Sequence, residues 1–217
     1  YKYGIKNILS YCLGHEGPGS IFYNLQQQNL ASYLQAGVEE QGMFHCYFGI
    51  MIGLTDKGFK YRHQVLAIIH KYIDMMRKES LSKSIYNDYK RIAELKFNFR
   101  SKRDEASYVT DISKNMFYYD KEDIISEDEL MNNYDDTAKR LYDKYMLLMQ
   151  PETSIIIISS TNYLNTLNST EKWYGVKYAA YDKVHLVSSQ SFDQLEFNIY
   201  LPKNNNYIPS DTNIKKF

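Results

Sequence analysis

Three glycines and one proline lie within residues 14–19, inside the run Tyr-Cys-Leu-Gly-His-Glu-Gly-Pro-Gly-Ser that starts at Tyr11. In a helix interior, glycine costs about 1 kcal/mol and proline about 3 kcal/mol relative to alanine. A helix over residues 3–13 must therefore end at this run. Ser20 is a favourable N-cap for a second helix over residues 20–28. The run predicts two short helices joined by a tight turn.

The residues that follow predict a β-hairpin and then a long helix. Residues 31–37 and 43–54 are predicted to form two antiparallel strands, and apolar side chains alternate along the second. We expect this alternating face to lie in the core. Its members are Phe44, Cys46, Phe48, Ile50 and Ile52. Thr55 or Asp56 then begins a helix whose apolar residues recur at the spacing of a helix that lies on a sheet. These residues are Val65, Leu66, Ile69, Tyr72, Ile73 and Met76.

The second half of the chain predicts more helices and one buried strand. Three further helices are predicted over residues 82–99, 105–118 and 136–149. The segment 155–159 is β-branched and uncharged, which is typical of a buried strand. This order of elements predicts an α+β fold, with an antiparallel or mixed sheet and helices packed on one face. Because no repeat and no Gly/Ser-rich linker interrupts the 217 residues, we predict one domain over residues 1–217.

The only tryptophan, Trp173, precedes an alternating segment that runs from Lys177 to Tyr181. We expect its side chain to be largely buried and to anchor the end of a strand to the sheet. Removal of a buried aromatic side chain costs about 3–5 kcal/mol. The sequence therefore predicts a loss of that size for Trp173→Ala.

Charge and hydropathy exclude two classes of partner. The chain has 26 basic and 26 acidic residues, so its net charge at pH 7 is zero and no basic patch stands out. Such a patch would be needed to hold the backbone of a nucleic acid or an anionic membrane surface. The longest apolar run, around residues 155–158, is far shorter than the ~20 residues of a membrane-spanning helix. We predict no nucleic-acid partner and no membrane partner.

The two cysteines, Cys12 and Cys46, each lie in an apolar context. Free cysteines are among the most buried residue types, and two of them do not make a disulfide framework. We therefore predict two buried free thiols. Free thiols are typical of a reducing compartment, which favours a cytoplasmic location.

The spacing of histidines and acids does not predict a metal site. His15 could open a His-Glu-x-x-His motif, but position 19 is Gly19. His63 and His70 are seven residues apart, which is not the spacing of a metal-binding pair on a helix. The acids within residues 120–136 lack the glycine and oxygen-ligand spacing of a calcium loop, so a solvated connection is predicted. We predict no catalytic residues and no metal ligands in this chain.

Three separated motifs nevertheless resemble one family. They are the run from Tyr11, the run Glu-Lys-Trp-Tyr-Gly-Val-Lys-Tyr from Glu171, and the run Leu-Pro-Lys-Asn-Asn-Asn-Tyr-Ile-Pro from Leu201. Their order and sequence resemble the second, non-catalytic domain of the pitrilysin (insulinase) family of zinc metallopeptidases. The resemblance covers nearly the whole chain and omits only the extended segment that opens this domain in the family. It implies a pitrilysin-like fold and a fragment of a larger peptidase.

The resemblance also explains why the turn carries a lone histidine. In the family's catalytic domain the matching helix has His-x-x-Glu-His, which supplies two zinc ligands and a general base. Here Tyr11 and Gly14 replace the first histidine and the glutamate, and Asn98 lies near the position of a further glutamate ligand. A catalytic zinc needs about three protein ligands, and His15 is the only one of these positions that keeps a zinc-binding side chain. The resemblance implies no cofactor in this chain and a zinc ion in another domain of the parent enzyme.

A positive role is also implied by the resemblance. In the family this domain carries an exosite, where the end of an extended peptide adds to a strand. The matching positions are Leu34, Gln35, Ala36 and Gly37 on the first strand, with His15 and Gly17 near its end. An exposed strand edge offers unpaired N–H and C=O groups that can hold a peptide backbone. The alternative, that Ala36 and Gly37 only lead into a turn, remains open.

Three functions are thus compatible with the sequence. The first is a substrate-holding domain of a zinc metalloendopeptidase, with peptide substrates and other domains of the same polypeptide as partners. The second is a purely structural or assembly module of an inactive family member. The third is a stand-alone peptide-binding domain. A His-x-x-Glu-His helix upstream in the full-length protein would select the first over the second.

Overall fold

The computed structural model describes residues 1–41, 45–126, 129–181 and 196–213. Within these residues, helices pack against a small antiparallel sheet, which confirms the predicted α+β class. The helices are α1 (Ile5–Leu13), α2 (Ile21–Gln27), α3 (Asp56–Lys60), α4 (Arg62–Glu79), α5 (Lys83–Asn98), α6 (Glu105–Asn115) and α7 (Asp136–Leu148), with one 3₁₀ turn, Thr161–Tyr163. The strands are β1 (Ala31–Gln41), β2 (Cys46–Leu54), β3 (Ser169–Thr170) and β4 (Lys177–Tyr178).

Most helices start where a short polar side chain can satisfy an unpaired backbone N–H group. Ser20 accepts a hydrogen bond from the Tyr23 N–H, at 3.0 Å, and so fixes the start of α2 as predicted. The same type of cap begins α3, α5, α6 and α7. The capping residues are Thr55, Ser82, Asp104 and Asp135. These bonds confirm the predicted starts at Thr55, Ser82, Asp104 and Asp135. The single long helix predicted from Thr55 or Asp56 is wrong, because the helix breaks at Tyr61 and α4 begins there without a side-chain cap.

The predicted hairpin is formed by β1 and β2. Leu34 lies opposite Ile52 and Ala36 lies opposite Ile50, with irregular pairing near each end of β1. The side chains of Phe48, Ile50 and Ile52 pack half-buried against the core, as the alternation predicts. Cys46 is exposed instead of buried, because it lies at the far end of β2 from the helices. Phe44 falls outside the described residues.

The core lies between the helices and one face of the hairpin. The stripe of α4 is buried as predicted, except that Leu66 is half-buried. Two fully or nearly fully buried tyrosines place their hydroxyl groups on backbone carbonyls: Tyr72 donates to the Cys12 oxygen at 3.3 Å and Tyr142 to the Met76 oxygen at 3.2 Å. Since a buried hydroxyl needs a partner, these bonds fix how α4 meets α1 and α7.

Most of the described acids within residues 120–136 are exposed, as the sequence predicts, and some of them hold the amino-terminal residues. Asp120 and Asp123 accept bonds from the Lys2 ammonium at 2.9 Å and 3.2 Å. This pairing raises the pKa of Lys2 and helps to lower the pKa of Asp120. Asp135 caps α7 and also accepts from the Tyr3 hydroxyl.

Two predictions about burial in the second half are wrong. Residues 155–159 are not a strand, and Ile155 and Ile157 are 84% and 86% exposed. In the described part of the chain no strand pairs with this segment, and Ile156 and Ile158 are only half-buried. Trp173 is 80% exposed, at the tip of the β3–β4 hairpin. The Glu171 carboxylate accepts the N–H groups of Trp173 and Tyr174, and these local bonds fix the conformation of the tip.

The two thiols also differ from one another. Cys12 is buried in the core, as predicted, and burial raises the pKa of its thiol to about 12. Cys46 is exposed, so the prediction of two buried thiols is wrong for this residue. Both cysteines are free.

Candidate peptide-binding strand and adjacent turn

The predicted binding residues lie on β1, whose one edge is bonded to β2. Among the described residues no strand is bonded to its other edge, which we call the outer edge of β1. The side chain of Gln35 is exposed, and Ala36 and Gly37 are half-buried. Leu34 is only 8% exposed because its side chain belongs to the core. Leu34 can therefore contribute only its backbone to a ligand on this edge.

Small residues let α1 approach β1 closely. A β-carbon on Gly37 would lie 3.3 Å from Ser10 Oγ, on α1. A β-carbon on Gly14, at the end of α1, would lie 3.7 Å from the Ala36 oxygen and 3.8 Å from the Ala36 β-carbon. The Gly37 distance is tighter than an ordinary contact, so a side chain there would displace Ser10, whereas the Gly14 distances are those of ordinary packing. The contact places the turn that follows Gly14 beside Ala36.

His15 and Gly17 are adjacent within that turn. The His15 imidazole covers Gly17, so a β-carbon on Gly17 would lie 2.6 Å from His15 Nε2. On its other side the imidazole meets Tyr11, with ring centroids 5.9 Å apart, and Tyr11 meets Tyr89 at 5.7 Å. Burial lowers the pKa of His15, and the nearby Glu16 carboxylate opposes this only in part. The lowered pKa favours the neutral imidazole, which can accept a hydrogen bond.

The far end of the turn is held by a distant part of the chain, residues 196–205, which we call the strap. The Asn24 side-chain amide donates to the Asn198 oxygen and accepts from the Asn198 N–H, both at 2.9 Å. The Tyr200 N–H donates to the Gly19 oxygen at 3.1 Å. The Asn205 N–H donates to Asp88 Oδ2 at 2.8 Å. Asn24 thus gives the strap the two backbone bonds that a neighbouring strand would give.

The structure brings together most of the predicted site residues. Through the contact of Gly14 with Ala36, the pair His15 and Gly17 lies at the same end of α1 as the strand residues. Sequence reasoning missed Ser10, Asn24 and Tyr200, which shape the strand and turn from outside the motif. Their roles depend on contacts with residues far along the chain, so no local spacing could reveal them.

The residues that replace a zinc motif do not fit a zinc ion. Gly14 has no side chain, and Asn98 is exposed at the last position of α5. The Tyr11 hydroxyl keeps its proton at neutral pH, because burial raises its pKa further. Among the described residues, no group of three histidine, cysteine, aspartate or glutamate side chains is close enough to hold a metal ion.

The remaining histidines do not join this site. His63 and His70 are half-buried on α4. Burial lowers the pKa of His70, although the nearby Asp74 and Glu152 carboxylates act to raise it. His45 is exposed beside Tyr47, and His185 falls outside the described residues. Within the described residues, no helix is both long enough and apolar enough to cross a membrane.

Two family profiles match the chain: "Peptidase M16 inactive domain" over residues 1–93 and "Middle or third domain of peptidase_M16" over residues 97–217. The chain therefore belongs to the M16 peptidase family, and the predicted resemblance is confirmed. The two matched regions meet within α5, and the strap of the second region is bonded to α2 of the first. The single domain over residues 1–217 stays a prediction.

Curated relatives and a solved structure agree with this assignment. The chain is 28% identical to Insulin-degrading enzyme-like 2 of Arabidopsis thaliana, over 94% of this chain and 21% of that protein. It is 29% identical to Insulin-degrading enzyme of Drosophila melanogaster (99% and 21%) and 27% identical to Nardilysin of Homo sapiens (100% and 19%). The chain thus spans about a fifth of the length of these relatives. The crystal structure of pitrilysin shares the fold, with a TM-score of 0.80 and 22% identity over 97% of this chain and 22% of that one.

Proposed function

We propose that this chain is a non-catalytic, substrate-holding region of an M16 zinc metalloendopeptidase that degrades peptides. In this proposal the outer edge of β1 receives the end of an extended peptide at Leu34, Gln35, Ala36 and Gly37. His15 and Gly17 line the end of the site. The observation that supports it most is the juxtaposition of an edge strand with small residues and a glycine-rich turn that carries a neutral imidazole.

The backbone geometry sets the strength of such a site. Along an antiparallel strand, the N–H and C=O groups of successive residues alternate between the two edges. Of the four residues 34–37, two are therefore directed to β2 and two to the outer edge, which allows roughly four bonds to a peptide. Each contributes about 0.5–1.5 kcal/mol net, while each ordered peptide residue costs about 1–2 kcal/mol. We expect a Kd in the roughly high-micromolar to millimolar range.

A weak site of this kind is useful when the substrate is already enclosed. Holding one end of a long peptide raises the effective concentration of the rest at a distant catalytic centre. In the parent enzyme that centre would be a zinc site on another domain of the same polypeptide. Little sequence preference is expected, because the bonds are made by the backbone.

Peptide analogues with single N-methyl groups test the pairing without altering the protein. Each analogue loses one backbone donor, and binding to the 217-residue chain is measured by NMR titration. A peptide on a strand edge donates from every second residue, so N-methylation should weaken binding with a period of two. Equal effects at successive positions, or no shifts at about 5 mM peptide, would contradict a strand-edge site.

One observation favours the structural alternative. Gly14 and Gly37 have a packing role between α1 and β1, and this role alone would account for the small residues. A purely structural or assembly module would then bind no peptide at any accessible concentration. A stand-alone peptide-binding domain would bind peptide but would have no His-x-x-Glu-His helix elsewhere in its full-length polypeptide.

A further inference from the structure

We propose that the strap is a positioning element for the peptide site, in which Asn24 and Tyr200 hold the turn that carries His15. The expected effect on peptide binding rests on the proposed function. The contact between the strap and the turn is independent of that function. It assigns a role to residues in the second matched region, at 198 and 200, for a site built from the first.

The strap reaches the turn through an unbroken series of contacts. A β-carbon on Gly19 would lie 2.5 Å from ring atoms of Tyr200, so the aromatic ring lies directly on Gly19. Gly19 has φ +86°, a left-handed conformation that glycine adopts freely. The next amide, Ser20 N–H, donates to the Gly17 oxygen at 3.1 Å, and the His15 imidazole packs on Gly17. The Tyr200 ring and its N–H bond to Gly19 thus fix both the position and the conformation of the turn.

Asn24 keeps the strap in place at Asn198, which belongs to no strand among the described residues. Its side chain is only 7% exposed, and the amide is used completely by the Ser20 oxygen and by both backbone groups of Asn198. On either side of Asn198, Phe197 and Ile199 pack against the core. A side chain without amide groups would leave the Asn198 backbone groups unpaired.

The turn is therefore clamped between two surfaces. At one end Gly14 rests on Ala36 of β1, and at the other Gly19 rests on Tyr200 of the strap. If the strap is released, the turn loses its contacts with Tyr200 and samples other conformations. Apparent affinity falls in proportion to the competent fraction, so a turn ordered in about one-third of molecules raises the apparent Kd about threefold.

The test uses the whole 217-residue chain with Tyr200→Ala and Asn24→Leu. Two readouts are measured in folded protein: hydrogen exchange of the Ser20 amide, and the Kd for the extended peptide used above. We expect Ser20 exchange to rise about tenfold and the Kd to rise about threefold or more in both variants. The His15 imidazole resonances should also move toward those of a solvent-exposed ring, which a general loss of stability would not cause.

Two control variants separate positioning from stability. Tyr200→Phe keeps the ring on Gly19 and should restore both readouts. Gln28→Ala removes the long, 3.4 Å bond to the Glu196 oxygen, at the first residue of the strap, and should change neither readout. Wild-type exchange at Ser20 in Tyr200→Ala would overturn the inference. If exchange rises but the wild-type chain binds no peptide, the strap's role stands and the proposed function fails.

Discussion

A β-carbon on Gly58 would overlap with the backbone carbonyl oxygen of Leu30. The same oxygen accepts the Thr55 N–H at 3.1 Å, so the start of α3 is pressed against the residue that precedes β1. Neither atom can move without moving the backbone of α3 or β1. Glycine at position 58 is therefore required by packing, although its helical conformation would suit any residue.

Gly58→Ala should thus destabilise the chain by about 1–3 kcal/mol, as overpacking does in a tight core. Gly53→Ala is a matched control, because its closest neighbour is the ring of Tyr33, which is 51% exposed and can rotate away. Urea denaturation of both variants gives the comparison. Equal losses would show that the Leu30 contact relaxes as easily as the Tyr33 contact.

The exposed tryptophan leads to a second prediction. Since Trp173 is 80% exposed, Trp173→Ala should change the free energy of unfolding by less than about 0.5 kcal/mol. Ile68→Ala, at a fully buried site on α4, should cost about 2–5 kcal/mol. The fluorescence emission of Trp173 should also be that of an indole in water. A blue-shifted emission together with a loss above about 2 kcal/mol would show that the side chain is covered in solution.

Some features of the fold could be predicted from the sequence, and others could not. Helix starts at Ser20 and Thr55 and the stripe of α4 depend on residues within a few positions of each other, and local pattern predicted them. Burial of Trp173 and Ile155 depends on whether another segment covers them, and composition alone cannot show this. Both residue types favour a core, but the described chain places no element over them.

The candidate site divides in the same way. The turn and the strand residues are short, contiguous motifs, and resemblance to a family located them. Asn24 and Asn198 are 174 residues apart in sequence, so their pairing has no local signature. Gly37 illustrates a further limit, because a small residue can serve a ligand or a neighbouring helix, and only the contact with Ser10 reveals the second role.

Two half-buried histidines predict a pH dependence of stability. Burial lowers the pKa of His15 and His70 in the folded chain, below the ordinary value of 6.5. The unfolded chain therefore binds more protons than the folded chain as the pH falls below about 6.5, and stability decreases. Above about pH 7 both forms are neutral at these positions and the dependence vanishes.

Urea denaturation between pH 7.5 and 5.5 measures this effect. The double variant His15→Gln, His70→Gln should lose stability less steeply with falling pH than the wild type does. His45→Gln is a useful control, because His45 is exposed and lies outside both sites. An unchanged slope in the double variant would show that these imidazoles are as well solvated when folded as when unfolded.

The replacement of the family's zinc motif by Tyr11 and Gly14 leads to a prediction about zinc binding. The double substitution Tyr11→His, Gly14→Glu recreates the spacing of a zinc motif but leaves Asn98, which the resemblance places near a further glutamate ligand of the family, unchanged. Because three protein ligands are required, the variant should bind zinc weakly and cleave no peptide. Metal analysis after dialysis and a peptide-cleavage assay measure both. Stoichiometric zinc that survives dialysis in the wild-type chain would contradict the assignment of no metal ligands.

The last prediction concerns Ala36 in the parent enzyme. Proline at this position lacks an N–H donor and adds bulk at the edge of β1. A long peptide that reaches both the outer edge and the catalytic centre should lose the tether, whereas a short peptide never uses it. We therefore expect Ala36→Pro to raise KM for long peptides about threefold or more and to leave KM for short peptides unchanged.

Gln35→Ala is the matched control for that experiment. It removes an exposed side chain next to Ala36 and keeps the backbone groups that the peptide would use. Because the site is made by the backbone, this variant should treat long and short peptides as the wild type does. The Ala36→Pro protein must first be shown to keep its circular dichroism spectrum and melting behaviour. If the folded proline variant also keeps the wild-type ratio of KM values for long and short peptides, β1 has only a structural role. The packing between α1 and β1 at Gly14 and Gly37 would then be a sufficient explanation for the small residues.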